Sequence, residues 1–376
     1  MTQTATLAPA SSEKLIVAVP AAGAGLADAD AELIGPDGLV ATEQPQTDEL
    51  LGDDWIALSD PDLSELELKL VQTAMSGSRL TNGPMVARFE ASFAKWLGRK
   101  YAVSVSSGTL GTLLALRALG IGPGDEVIAS PHGWHQVAQA VTLAGATVVF
   151  SDINYWSGCL DPVRAAAKVT PRTKAILAGN VNGHPAAWDA LRELAASHKL
   201  ALIEDSTEAI GSRYKGRMVG SFGDVAIFDF SQPSALCCGD GAMVVTDDER
   251  LVIELRYLRQ RSVKDRNAIA VGARVPLQAG ISELTAAMGV AQLARIDEIL
   301  ERRKAIEVIY LAEMNSFEGI KPPYIAPDVD LVHWMVWVVH LGTRFTASAR
   351  KQIVEDLAAD HIEAAPYCKP LHQQFF

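Results

Sequence analysis

No apolar run in this chain reaches the ~20 residues that a membrane-spanning helix needs. Basic residues are in deficit as well. Lys and Arg number 33 against 45 Asp and Glu, a formal net charge of -12, which argues against a nucleic-acid or anionic-membrane surface as partner. The 4 cysteines, Cys159, Cys237, Cys238 and Cys368, do not form a zinc-spaced set, and so few in 376 residues suit a reducing compartment. The opening Met-Thr-Gln-Thr-Ala-Thr lacks the basic residues of a secretion signal, although residues 15–26 are mildly apolar. The expectation is a soluble, cytoplasmic protein. There is no internal repeat. One further absence is local: no lysine stands between Lys215 and Lys264.

What is present suits a large core, since 49% of the residues are apolar, and the length suits one large α/β domain with a smaller companion. Residues 1–48 are rich in Ala, Thr, Asp, Gly and Pro without a sustained period, and are expected to form a flexible arm. Order is expected from about Trp55. Ser59-Asp60-Pro61-Asp62 predicts a helix start, with acids at the positive end of the dipole and a stripe of Leu63, Leu66, Leu70 and Val71 after it. A second amphipathic helix carries Val86, Phe89, Phe93, Trp96 and Leu97. Short apolar runs at 102–105, 126–129, 147–150, 175–178, 201–204, 225–230 and 242–246 then alternate with helical stretches. That alternation predicts an α/β fold, a mostly parallel seven-stranded sheet covered on both faces, with its site at the strand ends. The large domain is expected over residues 49–280. Residues 282–311 read as one long helix or two, 334–340 as a strand and 347–359 as a helix, which gives a small C-terminal α+β domain over 281–376.

Several segments carry chemistry. Ser106-Ser107-Gly108-Thr109 joins a strand to a helix, and free amides at such a helix start suit a phosphate, although the same turn is also an ordinary helix cap. Pro131-His132-Gly133-Trp134 lies beyond the next strand, and Trp134 could equally serve as a core or lid residue. His132 and His135 are three apart, but no carboxylate or cysteine completes a set nearby, so no metal site is expected. Glu204-Asp205-Ser206-Thr207-Glu208 ends a buried strand, where Asp205 could cap the following segment. Phe228 to Phe230 runs into a polar loop that a Gly239-Asp240-Gly241 turn returns to a strand. Cys237 and Cys238 in that loop read as small apolar residues rather than as a thiol nucleophile or an adjacent disulfide.

The run Thr81 to Glu90, the Ser107-Gly108-Thr109 turn, Leu119 to Ile128, Ala291-Gln292-Leu293 and Pro366 to His372 together resemble the DegT/DnrJ/EryC1/StrS family. These are fold-type I, pyridoxal-phosphate-dependent sugar aminotransferases, and the resemblance runs from about Trp55 to Phe376. It implies that Ser107, Gly108 and Thr109 hold the cofactor phosphate and that Trp134 stacks on the pyridine ring. It also implies that Asp205 holds the protonated ring nitrogen, keeping the ring an electron sink. A dimer with residues crossing between sites, and a small-molecule substrate, are implied too.

The departures from the family pattern are selective. Ser234 stands at the position of the Schiff-base lysine, or Ala235 with a one-residue slip, and neither can present an activated aldehyde or shuttle protons. Asp229 replaces a serine that donates to the phosphate. Each like-charge pair ~4 Å apart costs about 4 kcal/mol at an effective dielectric of 20, which protonation of Asp229 or a nearby Arg213 or Arg217 could relieve. Glu208 stands where Gln or His is usual, Asn180 replaces a histidine, Gln278 replaces an asparagine that reaches the neighbouring subunit's phosphate, and Gly280 replaces an arginine. Lysine-free dehydratases of the family carry a histidine as their base; this chain has serine. Three functions follow. The first is a repurposed biosynthetic enzyme acting on a sugar-, cyclitol- or amino-acid-like intermediate, with Asp229, Glu208 and His135 as candidate catalytic residues and pyridoxal phosphate not covalently bound or absent. The second is a non-catalytic subunit, a heterodimer partner for a lysine-bearing relative rather than a homodimer. The third is an enzyme holding pyridoxamine or pyridoxal phosphate non-covalently.

Overall fold

The computed structural model describes residues 54–260, 276–314, 320–342 and 345–373. The arm expected over residues 1–48 lies outside them. The first helix, α1 (Glu65–Met75), begins later than the acidic Ser59–Asp62 stretch suggests. Ser64 accepts from the Leu66 amide and closes a capping box with Glu67. Asp62 is drawn away instead, into ion pairs with Arg295 at 2.6 Å and with Arg302. Helix α2 (Pro84–Leu97) has Pro84 in its first turn, where a missing N–H costs nothing, and ends at Gly98 in the left-handed region.

The alternating stretch follows as expected: β1 (Tyr101–Val105), α3 (Gly108–Ala118), β2 (Glu126–Ala129), α4 (Gln136–Leu143), β3 (Thr147–Phe150), α5 (Pro162–Ala166), β4 (Thr173–Gly179), α6 (Trp188–His198) and β5 (Ala201–Asp205). A small hairpin, β6 (Arg213–Tyr214) and β7 (Arg217–Met218), precedes β8 (Val225–Asp229), β9 (Ala242–Thr246) and α7 (Glu249–Arg259). The expected strands form one 7-stranded sheet in the order β1-β9-β8-β5-β4-β2-β3. β9 runs antiparallel to β1 and β8, and the other pairs are parallel.

Both faces of the sheet are buried, which explains its near-continuous apolar strands. Along β8, Val225 and Ile227 join one core cluster while Ala226 and Phe228 join another, as the period of two requires. On that second face Phe93 packs on Phe89, Phe228 and Phe230 with ring centroids 5.1 to 6.1 Å apart. The register brings the strand ends to one edge: Gly179 pairs with Asp205, Asp205 with Ile227, and Ala242 with both Asp229 and Val105.

The long helical stretch is two helices, α8 (Glu283–Ala294) and α9 (Ile296–Met314), parted at Arg295. Beyond them lie β10 (Ile320–Lys321), β11 (Val329–Leu331), β12 (His340–Leu341) and α10 (Ala347–Ala359). The strand expected over residues 334–340 is irregular up to Val339. Side chains satisfy its backbone in place of a ladder: Arg303 donates to the carbonyls of Trp334 at 3.0 Å and Met335 at 2.5 Å, and Asn182 accepts from the Val336 amide at 3.1 Å.

Candidate active site

The converging strand ends form a cleft lined by Ser130, His132, Trp134, Asn180, Asp205 and Glu208, among others. Each arrives by a local device. The turn Val181–Gly183 after β4 puts Asn182 at φ 48° and Gly183 at φ 95°, aiming the Asn182 amide at the Glu208 carboxylate. The Leu371 amide donates to the Pro131 carbonyl at 2.7 Å and its side chain is fully buried. That anchor brings Tyr367 down so that its hydroxyl donates to Glu208 Oε2. His132 is held by a contact of 3.1 Å between Nδ1 and the Gly158 carbonyl, and its ring meets Tyr367 edge-on at 5.5 Å.

The adjacent carboxylates divide the work. Glu204 is fully buried and accepts from the amides of Gly220, Phe222 and Gly223 at 2.5, 2.8 and 3.2 Å and from Asn180 and Ser206, so it is a structural tie. Asp205 faces the cleft and accepts from Gln136 at 3.2 Å and the Thr207 amide at 3.1 Å. Burial raises its pKa, against those hydrogen bonds, and the neighbouring Asp229 charge adds to the rise. Glu208 is raised as well. Burial pushes its carboxyl from 4.5 up to about 7, against hydrogen bonds from Tyr367 and Asn182, with Asp205 adding like-charge repulsion. A carboxyl poised there can give and take a proton near neutral pH. Burial lowers the His132 pKa and lifts Tyr367 well above the usual phenol range.

Asp229 stands beside the cleft, at the head of α3. Its Oδ2 accepts from the Gly108 amide at 2.5 Å, and its Oδ1 from the Ser231 amide at 2.8 Å and the Ser231 hydroxyl. Its own amide donates to Thr207 Oγ1 at 3.2 Å. Neither arginine proposed to relieve its charge does so. Arg213 donates to the Gly216 carbonyl, while Arg217 donates to Ser221 and stacks over Phe222. Backbone amides satisfy Asp229 instead.

Trp134, Asp205 and Glu208 therefore share one cleft, and Gly108 and Asp229 adjoin it. Ser107 is the N-cap of α3, accepting from the Leu110 amide at 3.2 Å, and Thr109 sits in the first turn. His135 is exposed at the start of α4, and Gln278 is exposed; neither lines the cleft. Ser234 accepts from the Leu236 amide at 3.2 Å and is likewise outside the lining. Cys237 and Cys238 are buried free thiols whose pKa burial raises, so they act as apolar filler. Gln136, Asn182 and Tyr367 were missed as site residues. Only the resemblance at Pro366 to His372 could have pointed to Tyr367, which lies 159 positions from Glu208.

The model of the DegT/DnrJ/EryC1/StrS aminotransferase family matches residues 61–376. The chain is 38% identical over 275 residues to dTDP-3-amino-3,4,6-trideoxy-alpha-D-glucose transaminase of Streptomyces venezuelae, covering 73% of this chain and 72% of that protein. It is 32% identical over 328 residues to the spore coat polysaccharide biosynthesis protein SpsC of Bacillus subtilis, covering 85% and 84%. Among solved structures, S. venezuelae DesV in complex with a ketimine intermediate superposes with a TM-score of 0.75 at 35% identity, covering 82% of this chain and 81% of that one.

Proposed function

The chain belongs to the DegT/DnrJ/EryC1/StrS aminotransferase family, and from that premise we propose that it is a biosynthetic enzyme working by proton transfer through Glu208 rather than by lysine-dependent transamination. Its substrate is a sugar-, cyclitol- or amino-acid-like intermediate held against Trp134, and its assembly a homodimer. The relatives' names, a nucleotide-sugar transaminase and a polysaccharide biosynthesis protein, support the sugar class. The observation that carries the proposal is the Glu208 carboxyl, buried in the cleft between Tyr367 and Asn182 and lifted to about 7.

Pyridoxal phosphate is the family's cofactor, and the residues present do not fit it in the family's manner. Ser234 occupies the lysine position, no lysine lies between Lys215 and Lys264, and the Gly108 amide that would meet a phosphate is bonded to Asp229. No step is therefore routed through the cofactor. Glu208 takes a proton from a carbon next to a carbonyl, or from a hydroxyl, and returns it. Hydrogen bonds from Tyr367 and the Asn182 amide hold the ionised form that accepts the proton.

The test follows carbon-bound hydrogen exchange by NMR, with the purified protein in heavy water and a panel of nucleotide-linked keto sugars. Wild type is expected to exchange the hydrogen next to the carbonyl in at least one of them without taking an amino group from glutamate. Glu208→Gln is expected to lose roughly 10²-fold or more of that rate. Amino transfer from glutamate, or undiminished exchange in Glu208→Gln, overturns the proposal.

A second reading has its own support. The cavity left in the cleft is ≈ 20 Å³, room for about one water, against ~300 Å³ and upward for small-molecule pockets. A cleft that narrow suits a non-catalytic subunit that pairs with a lysine-bearing relative. Co-purification with such a relative favours it; exchange by the homodimer alone eliminates it.

A further inference from the structure

The positive end of α3 is already occupied by an anion from within the chain. Gly108 is the first residue of an 11-residue helix with no acidic residue in its first turn, and its amide donates to Asp229 Oδ2 at 2.5 Å. A Cβ at position 108 would lie 2.7 Å from that same oxygen, so the carboxylate rests against bare backbone. The other oxygen is fixed by the amide and hydroxyl of Ser231. Among the described residues, no ion pair involves Asp229. The helix dipole and directed N–H groups supply the compensation.

We propose that Asp229 is a built-in substitute for a ligand phosphate, so that the cleft beside it takes phosphate-free ligands at that end and turns phosphate-bearing ones away. The proposal rests on the reading of the cleft given above and narrows its ligand class. A phosphate entering at the head of α3 would displace Asp229 from its donors or face its charge at contact distance. A neutral or cationic group would instead meet a carboxylate whose donors are already arranged. The bridging diphosphate of any nucleotide-linked substrate must accordingly lie elsewhere than the head of α3.

The experiment compares pyridoxamine 5′-phosphate, pyridoxamine and inorganic phosphate as probes, by equilibrium dialysis and thermal shift, on wild type, Asp229→Ser and Asp229→Asn. None of the probes has an aldehyde to label surface lysines. Wild type is expected to bind pyridoxamine 5′-phosphate no better than about twofold over pyridoxamine, and to gain no stability from inorganic phosphate. Asp229→Ser is expected to gain about tenfold for the phosphate-bearing probe, the scale of an anion at a helix terminus, with little change for pyridoxamine. Asp229→Asn keeps the shape and loses the charge, so it covers the case in which the serine variant does not fold, and a smaller gain is expected. A wild type preferring the phosphate-bearing probe by tenfold or more overturns the proposal, as do folded variants with no gain. Phosphate binding by wild type would leave Glu208-dependent exchange standing, and failure of exchange would leave the Asp229 result standing, so the two failures are distinct.

Discussion

The Tyr367 hydroxyl donates a hydrogen bond to Glu208 Oε2 across 159 positions of sequence. It ties the C-terminal segment to the carboxyl that ends the β5 edge of the cleft. Burial lifts that carboxyl to about 7 and this contact opposes the rise; the first two predictions concern the balance.

Glu208 titrates near neutrality in the folded protein and at 4.5 when unfolded. Between those values the native state holds a proton that the unfolded state has released. The group's contribution to stability is therefore complete below pH ~4.5 and lost as pH rises through about 7. The full span is roughly 3 kcal/mol. Glu208→Gln cannot ionise, so its melting temperature relative to wild type should climb between about pH 4.5 and about pH 7 and level off above. Parallel curves for the two proteins would contradict the assignment.

Tyr367→Phe removes a bond that favours the ionised carboxylate, so the Glu208 pKa should rise further. The expected cost is about 1.5–3 kcal/mol at neutral pH, the range for a hydrogen bond to a charged group. Urea unfolding reads the cost, and the protonated carboxyl band in infrared spectra reads the pKa. A band that titrates at the wild-type pH would show that the hydroxyl does not act on Glu208.

Gly183 has φ 95°, and a Cβ there would lie 2.2 Å from the His333 carbonyl oxygen. Gly98 has φ 77° and nothing within 4 Å. Gly98→Ala should cost about 1 kcal/mol, for conformation alone. Gly183→Ala should cost roughly 3 kcal/mol or more, because backbone must move. It should also slow exchange at the site, since the Asn182 amide shifts away from Glu208. Equal losses in the two variants would mean that the turn has room to spare.

Burial raises the thiol pKa of Cys159 to about 12 and that of Cys238 well above 9.0. Both should resist a thiol-directed disulfide reagent in the folded protein, and all 4 cysteines should react after unfolding. Rapid native labelling at Cys238 would reopen a role for the cysteine pair.

Most of the sheet was legible in the sequence because strand signals are local. Runs such as Val225 to Phe230 are apolar on both faces, and the sheet buries both. The helix start at Ser64 was misplaced because the acids at Asp60 and Asp62 gave the stronger composition signal, while Arg295 and Arg302 claimed Asp62 from more than 200 positions away. Residues 334–340 looked like a strand by composition, but side chains of Arg303 and Asn182 took their backbone groups. At the site, Trp134, Asp205 and Glu208 could be named because the family resemblance falls on segments next to strand ends. Tyr367 and Gln136 could not, since their partners are set by how distant elements pack. The role of Asp229 was half legible. The sequence showed a new carboxylate, and only the geometry showed it seated on the Gly108 amide.

The most direct measurement treats the purified protein with pyridoxal phosphate and glutamate, reduces it with borohydride and maps any pyridoxyl adduct by mass spectrometry of its peptides. The account expects no adduct on the loop between Lys215 and Lys264, no stoichiometric adduct at any other residue, and no amino group passed to a keto sugar. One stoichiometric phosphopyridoxyl lysine together with amino transfer would contradict it.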